Sequence, residues 1–175
     1  MHRRTLLTGG GAVLVAATFA QAANARAQPT PVGSRDSEFM NFALEQAKTG
    51  DRPFGAVIVR EEKVLALGRD STKRNSDPTA HAVMVAIRAF LAGHEPDAFK
   101  DTTIYSTAEP CAMSMGAILW CGIPRLVYAA SIKDLSKLMP QIDISADYVA
   151  GQASFADIGI TGGLLSGNAL RLFES

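Results

Sequence analysis

The spacing of apolar residues along the chain changes several times, and each change marks an element. In DSEFMNFALEQAKTG they fall at Phe39, Phe42, Ala43 and Ala47, with Met40 and Leu44 on the adjoining stripe. That spacing predicts a helix capped by Asp36 or Ser37 and ended by Gly50. FGAVIVR, from Phe54 to Arg60, is a short, nearly continuous β-branched run, as in a buried strand. EEK turns the chain, and VLALGRD reads as the hairpin partner. TAHAVMVAIRAFLAG predicts a second helix between a capping Thr79 and a terminal Gly93. TTIYST is a strand from Thr102 to Thr107. EPCAMSMGAILWCG opens on Pro110 and closes on Gly122, the asymmetry of a third helix. Trp120 and Met115 on it read as core, with a surface between copies as the other reading. RLVYAAS is a further strand and IKDLSKLM a short helix. ISADYVAGQASFADIGITGG is ambiguous, and LLSGNALRLFES reads as a last strand and a short helix. The order describes one α/β domain with a mixed sheet, its first pair antiparallel and its later crossovers parallel.

The first residues do not fit that pattern. Arg3 and Arg4 precede an apolar run from Leu6 to Ala20, and small residues lead to Ala25-Arg26-Ala27. This is the layout of a cleaved secretory leader over 1–27. The run is too short and too rich in Gly and Ala for a membrane span. The paired arginines point to the twin-arginine route, with an ordinary secretory leader as the alternative. The expected locations are therefore the periplasm or the exterior, with no membrane attachment after cleavage. Residues 28–35 read as a flexible polar arm and 36–175 as the domain.

The leader takes three arginines and no acid, which leaves 14 basic and 17 acidic side chains, net −3. No basic cluster interleaves with aromatics, so a nucleic-acid partner is not expected. Cys111 and Cys121 lie on one predicted helix, ~15 Å apart along its axis. A disulfide needs Cα atoms within about 7 Å, so none is expected. Cys121 reads as a small buried apolar residue. His94, just beyond Gly93, reads as a surface residue.

The chemistry gathers at two helix starts, PTAHAV and EPCAMS. Helix N-termini present free N–H groups and a positive end, which favour thiolate, hydroxide and other anions. A zinc deaminase carries H-x-E followed later by P-C-x-x-C, because cysteines three apart share one helical face and can hold one tetrahedral metal. The Glu moves protons between the attacking water and the leaving ammonia.

RPFGAVIV, SDPTAHAVMVAIR and EPCAMSMGAILWCGIPRLVYAAS, in this order, resemble the cytidine deaminase-like superfamily over about residues 36–135. The similarity is greatest to its guanine deaminase, nucleoside deaminase and tRNA adenosine deaminase branch. The resemblance implies a three-layer α/β/α sandwich around a five-stranded mixed sheet, and a homodimer. It implies zinc held by His81 and Cys111, with the second cysteine falling on Ser114 and the catalytic Glu on Val83. It implies Asp70, Phe54 and Ala80 as ligand contacts, Asp70 standing where relatives use Asn to hold a base. Glu109 is common in the family beside the catalytic Glu and is not expected to replace it.

Three departures in one site have physical consequences. A Ser hydroxyl is a poor zinc ligand, so zinc is expected to be weak or absent. Val83 cannot move a proton, and such a group contributes about 10²- to 10⁴-fold. The implied protein keeps the deaminase fold, binds a small purine- or pyrimidine-like molecule and lacks the hydrolysis. The other reading is an active or altered zinc-dependent hydrolase acting on guanine, cytosine, adenine or a nucleoside.

Overall fold

The computed structural model describes residues 27–174. Apart from Ala27, the leader expected over 1–27 lies outside the described residues. Strands β1 (Ala27–Pro29), β2 (Gly55–Arg60), β3 (Lys63–Arg69), β4 (Thr103–Ala108), β5 (Arg125–Ala130) and β6 (Ile158–Thr161) form one sheet in the order β1-β6-β5-β4-β2-β3. β2 pairs antiparallel with β3 and β4; the β4–β5, β5–β6 and β6–β1 pairs are parallel. The helices are α1 (Asp36–Ala47), α2 (Ala82–Leu91), α3 (Ala112–Trp120), α4 (Ile132–Leu135), α5 (Ala146–Gln152) and α6 (Ser166–Arg171).

Alternation along each strand divides the core in two. Ala56, Ile58, Ile104 and Leu126 pack with α2, α3 and α5. Val57, Val59, Tyr105 and Val127 pack with α1 and α6 on the opposite face. Helices on both faces explain why the strands read as continuous apolar runs. The hairpin closes through Glu61 and Glu62, both at positive φ (48° and 62°), the pair of left-handed residues that a tight turn between twisted strands requires. At Gly68 the α2 backbone lies so close that an added Cβ would strike Ala82 O and Ala86 N. That contact seats the start of α2 against β3.

The sheet has six strands, not five. The extra strand joins the last residue read as leader, Ala27, to the start of the segment read as an arm: Ala27–Pro29 pairs with Ile158–Ile160, and Thr30 N donates to Ile160 O at 3.0 Å. The last strand is IGIT, within the ambiguous segment, while LLSGNALRLFES supplies only α6. Thr79 does not cap α2; its N–H and hydroxyl both donate to Asp77, and His81 takes the cap position. Arg35 precedes α1, with no side-chain cap there. Phe42 faces solvent on α1, because the buried stripe runs through Phe39, Met40, Ala43, Leu44 and Ala47. Met115 is fully buried, but Trp120, the last residue of α3, is 77% exposed and stacks on Phe155 at 4.2 Å. His94 is half-buried, stacked on Phe90 at 4.4 Å with Nδ1 3.1 Å from Phe90 O. Both cysteines are free; Cys121 is half-buried against the core. Among the described residues no helix is long and apolar enough to cross a membrane.

Candidate ligand-binding site

α2 and α3 begin side by side on one face of the sheet. His81 and Cys111 hold equivalent places, each an extended residue immediately before its helix. Their side chains meet: Cys111 Sγ is 3.6 Å from His81 Nδ1. The Cys111 sulfur also lies 3.7 Å from Ser114 Oγ, one turn into α3. Burial pushes the Cys111 thiol up, but the His81 imidazole and the Ser114 backbone N–H outweigh it and bring the pKa down to about 7. The same contact with Cys111 raises His81 against the lowering effect of its partial burial. Each of the two groups thus favours the charged form of the other.

A cavity of about 180 Å³ opens over this pair. Phe54, His81, Val83, Cys111 and Ser114 all line it, as do residues that the sequence did not single out: Arg52, Ser106 and the segment Met139–Ile142. Val83 sits in the first turn of α2 and is 3% exposed, packed into the core. It offers the cavity a methyl surface with no proton to exchange. Phe54 presents a half-buried ring, braced edge-on by Phe173 at 5.3 Å. Arg52 is an exposed cation of the cavity wall.

Asp70 and Ala80 do not line the cavity, and both are buried. Asp70 N donates to Phe54 O at 3.0 Å, and Ser71 N donates to Ala80 O at 2.9 Å. Ala80 therefore contributes backbone bonds that fix His81, its neighbour in sequence. The Asp70 Oδ1 atom accepts from Thr72 N at 3.3 Å and Thr72 Oγ1 at 2.7 Å, whereas its buried Oδ2 has no hydrogen-bond partner.

Glu109 also lines the cavity, but both of its oxygens are occupied. Oε2 accepts from Ile132 N and Oε1 from Ala146 N, each at 2.8 Å. The carboxylate thus ties together the starts of α4 and α5, where free N–H groups favour an anion. No pattern in the sequence signals this, because its two partners lie 23 and 37 residues away.

The cytidine and deoxycytidylate deaminase zinc-binding region matches residues 33–130. The tRNA-specific adenosine deaminase of Buchnera aphidicola subsp. Baizongia pistaciae is 35% identical over 147 residues, covering 80% of this chain and 86% of that one. The guanine deaminase of Bacillus subtilis is 39% identical over 88 residues, covering 49% and 54%. A mutant protein crystallised with 8-azaguanine aligns with a TM-score of 0.68 at 26% identity, covering 79% of this chain and 83% of that one. The donors in this chain do not fit a resident zinc. Among the described residues no group of three or more His, Cys, Asp and Glu side chains is placed to hold a metal. The third side chain at the His81–Cys111 pair is the hydroxyl of Ser114, which rarely offers an anion.

Proposed function

The chain belongs to the cytidine and deoxycytidylate deaminase family, and we propose that it is a catalytically silent member that binds a purine- or pyrimidine-like molecule in the Phe54–His81–Cys111 cavity. One observation carries this reading: Val83 and Ser114 line the same cavity at the positions where the resemblance puts the proton-moving Glu and the second cysteine. Phe54 offers a planar ring a face to stack on. His81 and Cys111 offer polar contacts at two helix starts, where developing negative charge is favoured. Neither Val83 nor Glu109 is free to take a proton from water and return it to a leaving amine. Val83 is apolar, and both oxygens of Glu109 are already accepting backbone N–H groups.

The test is ammonia release from guanine, cytosine, adenine and their nucleosides by the natural protein. The expected result is no release above that of the His81→Ala variant. Turnover that His81→Ala abolishes would establish the second reading, an altered hydrolase. That reading is favoured by the intact His81–Cys111 pair and its thiol pKa of about 7.

Two further parts of the proposal rest on other residues. Export to the periplasm or exterior is supported by the Arg3–Arg4 start, the apolar run and the Ala25-Arg26-Ala27 site. N-terminal sequencing of the secreted or periplasmic form tests it; a chain retaining Arg3 and Arg4 in the cytoplasm would contradict it. A homodimer is supported by the family resemblance and by the exposed Trp120–Phe155 stack at the end of α3.

A further inference from the structure

The bond expected to release the leader lies inside a strand. A site at Ala25-Arg26-Ala27 is cut between Ala27 and Gln28, and β1 holds both residues in the sheet. Ala27 is in register with Ile158, Gln28 with Gly159 and Pro29 with Ile160.

The residues that follow fasten this strand. Thr30 N donates to Ile160 O at 3.0 Å. Thr161 Oγ1 donates to Thr30 O at 2.7 Å and lies 2.8 Å from Thr30 Oγ1. A hydroxyl carries one proton, so Thr30 Oγ1 donates the second bond. Arg125 Nη2 donates to Pro31 O at 3.2 Å. The chain lies so close to β6 that a Cβ added at Gly159 would come 2.6 Å from Thr30 Cγ2.

β1 ends the sheet, so its outer edge is open to another chain. Its first side chain is not open in the same way. Ala27 is partly buried against the core cluster that contains Ala150, Ala153 and Ile158. A leader peptidase reads small side chains at this site, and it cannot seat a methyl group that the core already holds. Resting on the export reading above, we propose that β1 is a latch on the leader: the Ala27–Gln28 bond of the folded chain is cut only while β1 is undocked from β6. Cleavage then tracks the fraction of chains in which this edge is open. The cut adds one water across the amide, leaving a carboxylate on Ala27 and an amine on Gln28. The trimmed chain keeps Gln28 and Pro29 against β6 and loses the step between Ala27 and Ile158.

The test is cleavage by a purified bacterial leader peptidase, followed by mass spectrometry. Its substrates are the folded full-length chain, the same chain with Thr161→Val, and a synthetic peptide of residues 1–35, which has no β6 to pair with. The peptide is expected to be cut after Ala27, and the folded chain at least about tenfold more slowly. Thr161→Val removes the hydroxyl that holds Thr30 and should speed cleavage of the folded chain by about two- to tenfold, the effect of one or two lost hydrogen bonds. Equal rates for peptide and folded chain overturn the latch and leave the leader reading standing. So does a slow folded chain that Thr161→Val, with an unaltered thermal melt, does not speed. A peptide left uncut overturns the leader reading, and this inference with it. Should Thr161→Val fail to fold, the ratio of peptide to natural chain still decides.

Discussion

Two polar clusters are buried in this molecule, on opposite faces of the sheet. Around Asp36 every acceptor is met. Arg125 donates to Oδ1 at 2.9 Å and Oδ2 at 2.6 Å, Tyr105 donates to Oδ1 at 2.8 Å, and Gly33 N to Oδ2 at 2.7 Å. Burial pushes the Asp36 pKa up, but Arg125, Gly33 and Tyr105 together hold it below the usual carboxylate range. Around His81 and Cys111 the contacts are 3.6 and 3.7 Å, one oxygen of Asp70 is unpaired and Val83 is buried in the first turn of α2. The first cluster joins α1 to β4 and β5. The second leaves Asp70 Oδ2 without a partner among the described residues. The saturated cluster is scaffold, and the looser one borders the cavity that is proposed above to bind a ligand.

Breaking the saturated cluster should have the largest effect. Arg125→Ala leaves Asp36 buried without its cation and should lower stability by about 3 kcal/mol in urea denaturation near neutral pH. The Asp36 pKa is depressed in the folded protein, so its contribution is present above the ordinary value of about 4 and is lost as pH falls through the folded value. The gap between natural protein and variant should therefore narrow in acid. Next comes Glu109→Gln, which supplies one acceptor where two N–H groups need one each. A loss of about 2 kcal/mol is expected from the same measurement; an unchanged midpoint would mean that α4 and α5 do not depend on this carboxylate.

The open cluster should respond in chemistry. Cys111 should react with iodoacetamide along a pH curve with its midpoint about 7, slow below as thiol and fast above as thiolate. His81→Ala should move that midpoint upward; an unmoved midpoint would show that the imidazole does not hold the thiolate. The smallest stability effect belongs to neither cluster. Trp120→Ser, at an exposed site, should change stability by less than about 0.5 kcal/mol. In sedimentation it should nevertheless shift a dimer toward monomer, and a species unchanged by the substitution would remove Trp120 from any interface.

Much of the fold was legible because strand and helix periods are local properties. The β2–β3 hairpin and the α2, β4, α3 and β5 elements lie where apolar spacing and Gly or Pro boundaries put them. β1 was not legible, since a three-residue strand at the sheet edge gains its pairing from β6, more than 120 residues away. Trp120 was misread as core because a residue at a helix end can satisfy the apolar period and still face outward. At the site, the His81–Cys111 meeting was implied by the family resemblance of PTAHAV and EPCAMS and is seen at 3.6 Å. Arg52, Ser106 and Met139–Ile142 did not, because nothing local tells a loop residue that it will border a cavity. The Thr79 cap failed for a similar reason: Asp77, two residues earlier, competes for the same hydroxyl.

Val83 and Ser114 are the residues held to silence the cavity, and one comparison tests both. The double variant Val83→Glu, Ser114→Cys, supplied with zinc, should release ammonia from at least one purine or pyrimidine base, while the natural protein releases none under the same conditions. Release by the natural protein that matches the double variant and disappears in His81→Ala would contradict the central claim, since the cavity would then carry its chemistry without the two residues whose absence is held to silence it.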